Sequence, residues 1–160
     1  MTTPVPLLDV RDLTMHFPIG RGWFGKTRRR VRAVDGLSFT VDRGETVALV
    51  GESGCGKSTV GRCLVRLLQP TSGQIRFDGV GIENLSEARM RAMRRRVGLV
   101  FQDPFSSLNP RMRVRELIGE PIRNFEPGLS VAEREARLEA LLDTVRLPCT
   151  ALGRWPHEFS

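Results

Sequence analysis

The residues with the most specific chemical arrangement are Gly51-Glu52-Ser53-Gly54-Cys55-Gly56-Lys57-Ser58, followed by Thr59. They satisfy the spacing G-x-x-x-x-G-K-[ST], a phosphate-binding loop. Glycines at the first, fourth and sixth places admit positive φ and remove side chains, so successive backbone N–H groups can turn inward around phosphate oxygens. A helix starting at Lys57 would add the positive end of its dipole and unpaired N–H donors to the same point. In this arrangement Lys57 reaches the outer phosphates, the Ser58 hydroxyl serves as a ligand for a divalent cation, and Thr59 lies on the α-phosphate side.

Such a loop needs a strand before it and a helix after it. Residues 46–50, TVALV, form a continuous apolar run rich in β-branched side chains, which predicts a parallel strand buried on both faces. From residue 57 to about residue 68, Val60, Leu64, Val65, Leu67 and Leu68 recur at helical spacing, and Pro70-Thr71-Ser72-Gly73 ends that pattern. Further strands are predicted over 7–17, 34–41, 74–78 and 97–101, with a long exposed loop over the Gly- and Arg-rich stretch 20–32. Ser86 can cap a basic helix to about residue 96. Two more helices are expected near 113–124 and 130–146, the second opened by a capping box of Ser130 and Glu133.

Composition sets outer limits. With 160 residues, 40% hydrophobic and 27% charged, the chain is that of an ordinary globular domain. No apolar run approaches the roughly 18 residues that span a bilayer. The start, MTTPVPLLDV, has neither a basic nor a long apolar region, which makes the cytosol the expected location. Cys55, Cys63 and Cys149 have no metal-type spacing and predict free thiols. A net charge of +7 favours an anionic partner without naming one. The excess lies in Arg21, Lys26, Arg28, Arg29, Arg30 and Arg32, then in Arg89, Arg91, Arg94, Arg95 and Arg96.

A phosphate loop alone leaves kinases, GTPases and helicases open. Three further stretches narrow the field: Gln69-Pro70-Thr71-Ser72-Gly73 with Ile75 and Asp78-Gly79, then Val100-Phe101-Gln102, then Pro156-His157-Glu158-Phe159-Ser160. Together they resemble the ATP-binding subunits of ABC transporters. The run from Phe101 to Arg111, FQDPFSSLNPR, is similar to the Gln-loop of the oligopeptide, dipeptide and nickel importer branch. The resemblance implies an α/β P-loop NTPase core with an antiparallel β subdomain at its N-terminus, over residues 1–102, and the start of a helical subdomain over 103–160. It implies ATP and Mg²⁺ as cofactors, Lys57 and Gln102 as catalytic residues, and Ser58 and Gln102 at the metal. Phe17 falls where the family has an aromatic that stacks on adenine. His16 beside it shows no acidic or nucleophilic partner in the sequence.

The resemblance also implies partners other than nucleic acid: a second ATPase subunit, two permease subunits and, indirectly, a peptide-binding protein, at the cytoplasmic face of the membrane. It runs from about Leu7 to Ser160, where Phe159-Ser160 would open the signature motif. Walker B carboxylates and the switch histidine belong downstream in the family, so residues 1–160 alone are expected to bind phosphate without turning over ATP. Two other readings fit the same residues: a soluble small-molecule kinase, with Arg89 to Arg96 as a lid, and a nucleotide-binding chain without hydrolysis.

Overall fold

The structure, a computed structural model, describes residues 5–21, 27–103 and 107–159. The chain divides into two compact units, Met1–Leu99 and Val100–Ser160.

In the first unit, β1 (Leu8–Arg21) and β2 (Thr27–Val41) pair antiparallel from Leu8 opposite Val41 to Arg21 opposite Thr27. The expected loop over 20–32 is therefore largely strand. Arg29, Arg30 and Arg32 stand opposite Ile19, Pro18 and His16 on β1, and charged side chains suit the solvated positions of an antiparallel hairpin. The basic residue Lys26 lies outside the described residues. Two more strands, β3 (Ser72–Phe77) and β4 (Val80–Gly81), complete a sheet of order β2-β1-β3-β4 with every pairing antiparallel.

One face of this sheet is covered by α1 (Lys57–Leu64) and α2 (Glu87–Met93). Val10, Leu13, Met15, Val34, Ile75 and Ile82 pack with Val60 and Cys63 of α1 and Met90 of α2. Burial pushes the Cys63 thiol up, as for a small apolar group in a core. The helix α1 ends at Leu64 rather than near residue 68, because Arg66 turns to φ 55 and sends its guanidinium to the carbonyls of Ile82 and Leu85, 2.8 and 2.7 Å away.

The expected parallel strand at 46–50 and the expected strand at 97–101 do not form. Neither run belongs to a strand, and Val50 and Val100 are each 89% exposed. Strand propensity selects a backbone shape, but a strand exists only where a neighbour takes up its N–H and C=O groups. Among the described residues none does so for these runs.

The second unit is helical. Here α3 (Val114–Phe125) and α4 (Val131–Thr144) enclose a separate core of Ile122, Leu138, Leu142, Ala151 and Leu152, closed by 3₁₀ turns at Cys149–Gly153 and Pro156–Glu158. The Ser130 hydroxyl accepts from the Glu133 N–H at 3.3 Å, and the Glu133 carboxylate accepts from the Ser130 N–H at 2.7 Å, so the capping box is reciprocal.

Candidate functional site: a glycine loop at a helix start

The loop between residue 50 and α1 takes its shape from two glycines in left-handed backbone, Gly54 at φ 84 and Gly56 at φ 97. At Gly56 the requirement is also steric. A Cβ there would sit 2.0 Å from the carbonyl oxygen of Ala33, so the loop rests directly on the backbone of β2. Gly56 is the N-cap of α1, and no side chain caps the helix start. No acidic residue occupies the first turn, so the N–H groups there and the dipole they carry are not offset by a carboxylate of that turn.

Lys57 folds back over the loop. Its ammonium donates to the carbonyls of Gly51 and Glu52, each at 2.6 Å, and lies 3.5 Å from Cys55 Sγ. The cation is thus held above the loop by backbone oxygens, without a carboxylate partner among the described residues, where an incoming phosphate can add to its coordination. Residues 51–55 and Ser58 are exposed, whereas Val60 one turn on is buried, so the helix is anchored while its first turn stays open to a ligand. A cleft lined by residues 33–37 of β2, with Leu49, Val50, Cys55, Gly56, Lys57 and Val60, opens beside it.

The structure thus brings Gly51, Glu52, Ser53, Gly54, Cys55, Gly56, Lys57, Ser58 and Thr59 into one loop and helix start. Phe17 lies in β1 opposite Val31, half-buried, and packs at the border of the core that also takes Val60. Gln102 is exposed and belongs to the second unit. Of the string that follows it, Pro104, Phe105 and Ser106 lie outside the described residues, as does Ser160. His16 does have an acidic partner. Its Nε2 is 3.4 Å from Asp35 Oδ1, and Arg32 shares that carboxylate at 3.2 Å. The separation of 19 residues along the chain, closed only by the hairpin, hid the pair from the sequence.

Sequence reasoning also missed the support beneath the loop. Nothing in the sequence links Ala33 to Gly56, since the contact arises from β2 passing under α1. It missed the bonds of Asp78 with Arg43 and Arg96 as well, although the Asp78-Gly79 pair announced a tight turn.

Comparison with known proteins decides the family. The ABC transporter family model matches residues 34–160. The chain belongs to the ABC transporter family. It is 49% identical over 155 residues to the oligopeptide transport ATP-binding protein AppF of Bacillus subtilis, covering 96% of this chain and 47% of that protein. It is 40% identical over 156 residues to the oligopeptide transport ATP-binding protein OppF of Escherichia coli, again covering 96% of this chain and 47% of the relative. The chain thus spans slightly under half the length of these curated relatives. Among solved structures, the ATP-binding cassette MJ0796, a dimer bound to ADP and Pi after hydrolysis, superposes with a TM-score of 0.78 at 25% identity, over 96% of this chain and 63% of that one. The fold is accordingly that of the N-terminal region of an ABC ATPase cassette. No helix among the described residues is long and apolar enough to cross a membrane.

Proposed function

We propose that the chain is the phosphate-binding portion of an ATPase subunit that powers peptide uptake through an ABC importer. The observation that carries this reading is the loop at α1: two left-handed glycines, an uncapped helix start and the Lys57 ammonium above them. The relatives named as oligopeptide transport proteins support the substrate class.

In this reading the N–H groups of Ser53 to Thr59 and the helix dipole hold the phosphates of ATP, and Lys57 shifts from the Gly51 and Glu52 carbonyls toward the outer phosphates. The exposed hydroxyl at Ser58 beside the loop fits a ligand of a magnesium nucleotide. Mg²⁺, when bound, would neutralise charge on the phosphate oxygens. Gln102 would orient the attacking water, and Phe17 would present its ring to the adenine. Residues 1–102 would form the first part of the cassette and 103–160 the start of its helical subdomain. The whole subunit would act as a peripheral protein on the cytoplasmic face of the membrane. There it would pair with a second ATPase subunit and two permease subunits, fed by a peptide-binding protein.

The test is nucleotide binding and hydrolysis in a chain that includes the complete family domain. Lys57→Ala should weaken ATP binding by about 10- to 100-fold, the loss of charge-assisted bonds to phosphate. Unaltered affinity would remove the reading.

A further inference from the structure

The β1–β2 hairpin is longer than the sheet it belongs to. β3 lies beside β1 from Leu8 to Thr14 only, so the pairs from His16 opposite Arg32 to Arg21 opposite Thr27 form a two-stranded arm. At about 3.4 Å per residue, the stretch from His16 to Arg21 makes this arm roughly 17 Å long. Its base is fixed by Phe17, which packs at the border of the core.

The charge of this stretch has one sign. Between Asp12 and Asp35 the sequence holds no Asp or Glu, while Arg21, Lys26, Arg28, Arg29, Arg30 and Arg32 all fall in that span. At the base, Asp35 offsets part of it, binding Arg32 at 3.2 Å and facing His16 at 3.4 Å. Arg29 and Arg30 stand further out, opposite Ile19 and Pro18, and both are exposed. Successive strand residues point to opposite faces, so each face of the arm carries one of these guanidinium groups. Ile19 and Val31 beside them are 49% and 46% exposed. The ladder and the charge belong to residues 16–32 themselves, so neither depends on which part of the family domain follows.

We propose that this arm is a docking surface for an anionic lipid bilayer, met end-on by Arg29 and Arg30. A single small anion needs donors that converge on it, and these two diverge. A bilayer with acidic headgroups instead presents negative charge as a continuous plane, which a projecting arm with a cation on each face meets at any rotation about its axis. Exposed Ile19 and Val31 favour lipid over nucleic acid. Aliphatic side chains gain from burial at the headgroup boundary, whereas single-stranded nucleic acid is held by aromatic stacking. Each cation near an anionic leaflet adds about fivefold in affinity, and Arg32, held by Asp35, is left out of that count. The surface goes beyond the ATPase and permease partners proposed above and stands apart from nucleotide binding.

The test is co-sedimentation of a chain including the complete family domain with two kinds of vesicle, phosphatidylcholine alone and phosphatidylcholine mixed equally with phosphatidylglycerol. Wild type should bind the anionic vesicles at least about tenfold more tightly, and lose most of that binding as salt rises from about 0.1 M to about 0.5 M. Arg29→Gln and Arg30→Gln should each weaken it about fivefold and the double variant about 25-fold, while the charge-keeping pair Arg29→Lys, Arg30→Lys should bind as wild type does. The pair Arg89→Gln, Arg91→Gln, which removes exposed cations from α2, should stay within about twofold. Melting temperatures should move by less than about 2 °C, as for exposed substitutions. Equal binding to neutral vesicles, an unchanged double variant or an equal loss from the α2 pair overturns the proposal. Single-stranded RNA bound more tightly than the vesicles, and lost in the same variants, overturns it in favour of a nucleic-acid surface. Vesicles contain neither permease nor ATP, so this inference and the nucleotide-site reading fail separately.

Discussion

The two flanks of the glycine loop are built differently. Downstream, Gly56 lies against the Ala33 backbone, and Val60 and Cys63 of α1 are sunk in the sheet's core at 4% and 0% exposure. Upstream, Val47 and Leu49 are 47% and 45% exposed, with no strand beside them among the described residues. The phosphate-facing geometry is therefore set from the helix side and from β2 below. The apolar run that precedes the loop contributes its sequence position but little packing.

Core deletion should show this asymmetry most strongly. Ile75, fully buried on β3, should cost about 2–5 kcal/mol when changed to alanine, whereas Val50→Ala, at 89% exposure, should stay within about 0.5 kcal/mol in the same 160-residue chain. Urea denaturation of the two variants measures both, and equal costs would erase the difference between the flanks.

The next effect lies inside the loop. Gly56→Ala should cost about 3 kcal/mol, because positive φ and a 2.0 Å approach to the Ala33 carbonyl act together. At Gly54 the φ is similarly positive but nothing lies within 4 Å of the added Cβ, so Gly54→Ala should cost only about 1–2 kcal/mol. Matching denaturation midpoints for the two would show that β2 does not support the loop.

Away from the loop, Ser130→Ala removes the α4 cap and should cost about 1 kcal/mol, seen as a lower melting temperature of the second unit. An unchanged transition would mean that the helix start is held by packing alone.

A still smaller effect concerns pH. Arg96, with Arg43, holds the Asp78 carboxyl below its ordinary 3.8, so the unfolded chain takes up that proton first as pH falls. The stabilisation is complete above 3.8, shrinks below it and is gone once pH passes under the lowered folded value. Acid titration of unfolding should therefore be shallower for Asp78→Asn than for wild type over that range.

Which features could be read from the sequence follows from how local their physics is. The phosphate loop was legible because its glycines, lysine and hydroxyl act within a few residues of one another. The Ser130 and Glu133 capping box was legible for the same reason. Residues 46–50 and 97–101 misled because β-branched composition reports a preference for extended backbone and carries no information about a neighbouring strand. The hairpin arms reaching to Arg21 and back from Thr27 were hidden by glycine and arginine, whose turn and solvent signals outweighed the alternation. Strand β4, two residues long, is too short for any period to register. His16 with Asp35, Ala33 under Gly56, and Arg43 and Arg96 on Asp78 are meetings of distant segments, which only the folded sheet creates.

The most direct test of the phosphate site is the alkylation rate of Cys55, an exposed thiol 3.5 Å from the Lys57 ammonium inside the loop. It is best measured with and without saturating ATP in a chain including the complete family domain, with Lys57→Ala alongside. Nucleotide phosphates seated in the loop should slow labelling of wild-type Cys55 by about tenfold or more, with far weaker protection in Lys57→Ala. Equal labelling rates with and without ATP in the wild-type protein would contradict the placement of phosphates in this loop.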